Sequence, residues 1–195
     1  VTAAEHTDEE LMVQLAEGRQ EALGELCQRY QQDIFRFCLH YLKEVERARD
    51  LAQETFIRVY VARARFDASR KFRPWILRIA RNLCLNEIKR KKAVAMDSLE
   101  EFASKARADS GEVFQSSTDS ADVQLIGHER RAKLDELLAT LDDESREIVM
   151  MRFFEKMAAR DIAEVVNSTE GAVRTRLHRI LKGLRNNYAD WREEF

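Results

Sequence analysis

The sequence predicts an all-α protein: two small helical domains joined by a flexible acidic linker, the second containing a helix-turn-helix. Three observations predict it. The 195 residues include only six glycines and one proline, so helices have few places where they must break. Apolar residues make up 45% of the chain and recur at helical spacing almost from end to end, enough to build cores. From about residue 93 to 120 that spacing fails, most plainly in the polar, acidic, small-residue run RADSGEVFQSSTDSAD, which has the composition of a linker. The length fits one large domain or two small ones, and the break selects two: residues 1–92 and 122–195, with 93–121 between them.

Each element has a local justification. Thr7, with Glu10 three residues later, forms a capping box that opens a short first helix. The second helix carries Leu23, Leu26, Cys27, Tyr30, Ile34, Phe37, Cys38, Tyr41 and Leu42, whose steps of three, four and one define a single apolar stripe. A third helix, roughly residues 45–64, turns Leu51, Ala52, Phe56, Val59 and Tyr60 inward. The run RFDASRKF reads as a loop. Pro74 then falls in the first turn of a fourth helix, where its missing N–H costs nothing. Helical patterning resumes near Asp122 and continues through Leu134, Leu137, Leu138 and Leu141. Three shorter helices follow at about residues 144–154, 159–166 and 170–188. No internal repeat of fixed period is present.

Composition also excludes several classes. No apolar run approaches the roughly 20 residues of a membrane span, so no membrane insertion is expected. The first ten residues are acidic and lack the pattern of a secretory leader. Cys27, Cys38 and Cys84 are odd in number, far apart and set among core-type residues, which reads as buried free thiols in a reducing cytoplasm rather than disulfides or metal ligands. His6, His40, His128 and His178 are scattered. No nucleophile, phosphate loop or metal-ligand spacing is evident, so an enzyme is the least supported class and neither cofactor nor metal is expected.

The net charge of −2 conceals a strong segregation. Residues 1–57 hold 6 bases against 12 acids and residues 58–92 hold 12 against 2; residues 93–144 hold 5 against 13 and residues 145–195 hold 10 against 8. Two basic islands in an acidic chain are a footprint for polyanions. A charge run is often only a solvated face, so each island must be weighed with the apolar side of its helix.

The second island lies in RDIAEVVNSTEGAVRTRLHRILKGLR, which has the features of a helix-turn-helix. Ile162, Ala163 and Val166 supply an inner face. Asn167 suits the left-handed conformation that ends a helix, and Thr169 suits the cap of the next. At 100° per residue Val173, Leu177, Ile180 and Leu184 cluster on one side. Gly171, Thr175, His178, Arg179 and Lys182 lie opposite, with Arg174 and Arg176 on the flanks. Arginine pairs bidentately with guanine edges and the other bases hold phosphates. The bland alternative is a helical hairpin with a basic rim.

The first island, KFRPWILRIARNLCLNEIKRKK, interleaves bulky apolar residues with eight bases and one acid. Trp75, Ile76, Ile79 and Leu83 share a side, which favours Trp75 as core over Trp75 as a stacking platform. Arg78, Asn82 and Lys89 form a separate flank, and the preceding loop adds Phe66, Arg70, Lys71 and Phe72. Cations beside loop aromatics are a common way to hold single-stranded nucleic acid.

RARDLAQETFIRVYVARARFDASRKFRPWILRIARN, followed after a linker by LLATLDDESREIVMMRFF and RDIAEVVNSTEGAVRTRLHRILKGLR, strongly resembles bacterial extracytoplasmic-function (ECF) sigma factors over about residues 8–185. The resemblance implies a region-two domain that binds the β′ coiled coil of RNA polymerase and captures the melted minus-ten element. It implies a region-four domain that binds the β flap and reads the duplex minus-thirty-five element of promoter DNA. By position, Asp50, Gln53 and Glu54 match the polymerase-binding helix, although a solvated acidic face would carry the same residues. Phe66, Arg70, Lys71 and Asn82 match the minus-ten reader, with Arg78 beside them. Arg174, Thr175, Arg176, His178 and Arg179 match the minus-thirty-five helix, with Lys182 beyond. The linker would thread toward the polymerase active-site channel, and an anti-sigma factor is a further possible partner. Two departures stand out. Asp142 replaces a frequent proline, and Lys156 and Ala158 stand where a turn glycine and a serine-like cap are usual.

Two competing readings remain at this point. A conventional repressor or activator leaves the first domain unused. A sigma-like protein that only sequesters an anti-sigma factor predicts loss of DNA-facing bases, yet Arg174, Arg176 and Arg179 are present.

Overall fold

The computed structural model describes residues 6–101 and 140–192. They form seven α-helices, with no strand among the described residues. These are α1 (Asp8–Ala16), α2 (Glu21–Leu42), α3 (Val45–Ala62), α4 (Phe72–Glu101), α5 (Asp143–Phe153), α6 (Ala159–Val166) and α7 (Glu170–Arg192), plus a 3-10 turn at Arg63–Arg65. The chain divides into two compact units, one holding α1 to α4, the other α5, most of α6 and α7.

In the first unit α2 packs against α1, α3 and α4. Its buried line is Ala22, Leu26, Tyr30, Ile34, Phe37, Cys38 and Leu42, the expected stripe with Leu23, Cys27 and Tyr41 at its half-buried margins. α1 starts as its capping box requires: Glu10 N–H donates to Thr7 Oγ1 at 3.2 Å and Thr7 N–H to Glu10 Oε2 at 2.8 Å. Leu11, Met12 and Leu15 bury α1, while Asp8 accepts hydrogen bonds from the Tyr30 hydroxyl and, at 2.7 Å, from Arg29. Burial, then the Asp8 bond, raises the Tyr30 phenol pKa above its ordinary value.

α4 shows where helical-wheel reading was ambiguous. Its buried line is Phe72, Ile76, Leu77, Ala80 and Cys84, whereas Trp75, Ile79 and Leu83 are only half-buried. The first turns of α4 are apolar over most of their circumference, so spacing alone left the inward direction open. Tertiary contact settles it. Phe72, expected in the loop as a nucleic-acid contact, is fully buried, with its ring edge-on to Tyr30 at 5.2 Å. Its N–H, one of the orphan donors at a helix start, donates to Glu9 Oε1 of α1 at 2.9 Å. Pro74 falls in the first turn, as expected.

Further along α4, Glu87 is buried yet charged. Arg47 of α3 grips it twice, at 2.9 and 3.0 Å, and Arg90 twice more, at 3.1 and 2.8 Å. Those bonds, from Arg90 first and Arg47 next, hold the Glu87 carboxyl well below the usual carboxylate range.

α4 also runs past Lys92 to Glu101, so the stretch expected to begin the linker starts in helix. Residues 93–101, AVAMDSLEE, are mostly strong helix formers, and extending an existing helix needs no new nucleus. The rest of the expected linker, the expected domain start at 122 and the leucine pattern at 134–138 lie outside the described residues.

In the second unit Ile148, Met151, Met157, Ile162 and Val173 are almost wholly buried. Asp142 caps α5, accepting from Ser145 N–H at 2.9 Å. Between α5 and α6, Lys156 adopts φ 53°, the left-handed region that costs an L-residue about 1–2 kcal/mol. Lys156→Gly is expected to stabilise this domain by about 0.5–1 kcal/mol, because glycine removes that cost and returns part of it as lost chain entropy. A higher urea midpoint at unchanged slope would show it; an unchanged or lower midpoint would contradict it.

None of the three cysteines is in a disulfide; Cys38 and Cys84 are buried and Cys27 partly so. Burial raises the Cys27 pKa and keeps it protonated. No described helix is long and apolar enough to cross a membrane.

Candidate nucleic-acid and polymerase interfaces

The loop between α3 and α4 is shaped by Asp67, whose Oδ1 accepts from Ser69 N–H at 3.0 Å while its carbonyl accepts from Arg70 N–H at 3.0 Å. This local turn is the kind that Asp favours, and it sets Arg70 and Lys71 on the surface. Phe66 is half-buried, edge-on to Trp75 with ring centroids 5.1 Å apart and to Phe72 at 6.0 Å. Phe72 thus forms the floor of an aromatic cluster whose outer members, Phe66 and Trp75, keep part of their surface in water. Phe66, Arg70, Lys71, Trp75 and Arg78 border one surface depression. Asn82 is exposed one turn beyond Arg78 on α4. Of the predicted first-island residues the structure brings Phe66, Arg70, Lys71 and Arg78 together and adds Trp75, which the wheel turns inward. Asn82 and Lys89 are exposed on α4 but do not border the depression, and Phe72 lies buried beneath it.

On α3, Asp50 and Gln53 are exposed and Glu54 partly so. Asp50 accepts from Arg47 at 3.2 Å and Glu54 from Arg58 at 2.6 Å. The same stripe continues to Ile57 and Val61, which are 56% and 69% exposed. Sequence reading missed these two. Stepping seven and eleven residues from Asp50 would have found them, since those positions recur on one helical face. Tyr60, expected in the core, is half-buried, with the Arg63 guanidinium 4.2 Å from its ring centroid, a cation–π contact.

In the helix-turn-helix, Asn167 ends α6 at φ 56° and Thr169 Oγ1 accepts from Ala172 N–H at 3.2 Å, both as their chemistry predicts. Val173, Leu177 and Ile180 face inward, and Gly171, Thr175, His178, Arg179 and Lys182 are exposed. The two flanking arginines differ. Arg174 is exposed and bonded to Glu170 of its own helix, Nε donating to Oε1 at 2.9 Å. Arg176 turns back toward α5: it pairs with Glu144, lies 3.5 Å from Asp142 and donates to Ser145 Oγ at 3.2 Å. Asp142 is held below its ordinary pKa, by its bonds from Ser145 first and by the Arg176 charge less strongly. Arg176 is therefore tied to the start of α5 rather than standing on the exposed rim with Arg179.

Known proteins match the same architecture. Residues 26–94 match the family described as Sigma-70 region 2, and residues 131–184 match Sigma-70, region 4. The chain is 29% identical over 177 residues to the ECF RNA polymerase sigma factor SigW of Bacillus subtilis, covering 91% of this chain and 94% of SigW. It is 30% identical over 169 residues to the ECF RNA polymerase sigma factor SigC of Mycobacterium tuberculosis, covering 87% of this chain and 84% of SigC. Among solved structures it resembles the sigma factor RpoE from Bartonella quintana, determined with the anti-sigma factor NepR. That match has a TM-score of 0.64 at 16% identity and covers 84% of this chain and 94% of RpoE, a likeness of fold.

Proposed function

Because the chain belongs to the extracytoplasmic-function family of RNA polymerase sigma factors, we propose a division of promoter recognition between its two basic surfaces. The chain is an alternative sigma factor: it directs core RNA polymerase to specific promoters, and its partners are core polymerase and promoter DNA. Sigma factors are initiation factors rather than enzymes.

In our reading the first surface captures single-stranded minus-ten DNA. The observation that supports it best is the meeting of Phe66 and Trp75, part-exposed rings, with Arg70, Lys71 and Arg78 around one depression, and Asn82 one turn on. Unstacked bases gain about 1–3 kcal/mol each from aromatic contact, and the cations neutralise the backbone. The second surface, Thr175, His178, Arg179 and Lys182 with Arg174 beside them, reads the duplex minus-thirty-five element. Asp50, Gln53 and Glu54, extended by the apolar Ile57 and Val61, dock on the β′ coiled coil, and the second domain docks on the β flap. An anti-sigma factor is a further partner in this reading, as NepR is for RpoE. The site of action is the cytoplasm, where polymerase meets promoter DNA.

Reconstitution with core polymerase tests the division. The isolated chain is expected to bind promoter DNA poorly, while the reconstituted enzyme initiates at defined start sites. Lys71→Ala and Asn82→Ala are expected to leave initial duplex binding near normal and to reduce strand opening, seen as loss of permanganate-reactive thymines. A template already unpaired over the minus-ten segment should restore much of the signal, because capture then no longer has to offset the few kcal/mol of melting. If both variants lower duplex affinity without affecting opening, the first surface is only a phosphate clamp. Tight specific binding by the chain alone, unaffected by polymerase, would favour a repressor.

A further inference from the structure

α7 begins with Glu170, the only acid between Glu164 and Asp190. An acid on a helix that faces DNA is repelled by phosphates unless its charge is offset and its oxygens meet donors. The structure supplies the offset. Arg174, one turn on, directs both Nε and Nη2 at the single oxygen Oε1, at 2.9 and 2.5 Å. Oε2 takes no hydrogen bond among the described residues. The pair stands in solvent, with side chains 40% exposed for Glu170 and 71% for Arg174. Gly171 beside it has open space where a Cβ would be, so no described atom crowds the backbone at this end of α7.

A carboxylate only accepts hydrogen bonds. In the major groove the donors are the cytosine N4 amine and the adenine N6 amine. Adenine N6 lies beside the N7 acceptor, which repels a second oxygen, whereas the cytosine edge offers the donor alone. We propose that Glu170, neutralised and aimed by Arg174, is a specificity-determining residue that selects a cytosine in the duplex promoter element. This rests on the assignment of α7 to duplex reading made above. Glu170 makes the base contact and Arg174 is its positioning residue. An exposed Glu–Arg pair one turn apart also steadies a helix slightly, and that alone is the competing explanation.

The two explanations separate when holoenzyme, reconstituted from core polymerase and the full chain, selects duplexes from a pool randomised over the minus-thirty-five region. The natural chain is expected to enrich cytosine at one position, by about 5- to 150-fold over the other bases, the span of a good base contact. Glu170→Gln should move that enrichment to adenine, whose N6 and N7 match an amide. Glu170→Ala should flatten it, and Arg174→Ala should weaken it at the same position only. Circular dichroism of each variant confirms that the helices remain. Unchanged base preference in all three variants overturns the proposal, whatever happens to overall affinity. If the natural holoenzyme shows no selection anywhere in the minus-thirty-five window, the assignment of α7 to duplex reading fails first, and the proposal with it.

Discussion

Phe72→Ala is expected to lower the stability of the first domain by about 3–5 kcal/mol, the cost of deleting a fully buried phenyl ring. For a domain of this size that is a fall in melting temperature on the order of 20 °C. Phe72 is wholly buried and touches three other rings, Tyr30, Phe66 and Trp75, so its loss leaves a cavity between α1, α2 and the loop. The functional consequence follows from the same contacts. Phe66 and Trp75 rest on Phe72, and without it the loop loses the support that holds Phe66 beside Arg70 and Lys71. Phe72→Leu, which refills most of the volume, should recover much of the stability but less of the strand opening, because an aliphatic side chain does not reproduce the edge-on ring contacts. Thermal unfolding by circular dichroism together with permanganate footprinting checks both. A loss below about 1 kcal/mol for the alanine variant would mean that the ring is not the anchor described.

The second large effect is a contrast between two arginines that lie three residues apart. Arg179→Ala is expected to leave stability within about 0.5 kcal/mol and to weaken promoter binding. If the lost contact is to a base, the cost is roughly 1–3 kcal/mol with preference relaxed at that base pair. If it is to a phosphate, all sequences weaken alike and the salt slope falls by about one unit. Arg176→Ala is expected to act through the fold. It removes the pairing with Glu144 and Asp142 and the bond to Ser145, costing about 1–2 kcal/mol of stability in a partly exposed network while base preference persists. The sign of the pH dependence is fixed by Asp142. Its pKa is depressed in the folded chain, so its contribution is fully present above the unfolded value of about 4. That contribution is lost as the pH falls through the lower folded value. Only the smaller part of that contribution, the part due to the Arg176 charge, is missing from Arg176→Ala, so the stability gap between the natural chain and this variant should narrow slightly in strongly acid solution. A change of base preference in Arg176→Ala without loss of stability would return this residue to the DNA-facing set.

Local chemistry carried much of the fold into the sequence. The Thr7–Glu10 box, the Asn167 and Thr169 caps, Pro74 in the first turn of α4 and the apolar stripe of α2 all depend on residues within about four positions of one another. They could be read before any tertiary contact was known. Charge segregation likewise located two surfaces, and the structure gathers Phe66, Arg70, Lys71 and Arg78 around one of them. What the sequence by itself left undecided is wherever a side chain had more than one available direction. α4 begins with apolar residues around most of its circumference, so only packing against α1, α2 and α3 could select Phe72, Ile76 and Ala80 over Trp75, Ile79 and Leu83 as its inward line. Arg176 carries a long, flexible side chain on a flank, and its partner Ser145 is 31 positions away, far beyond any spacing rule. Ile57 and Val61 look like core residues by type and are exposed because no described element covers that side of α3. Spacing and capping are properties of one helix, whereas the direction a side chain takes is set by whichever distant helix competes for it.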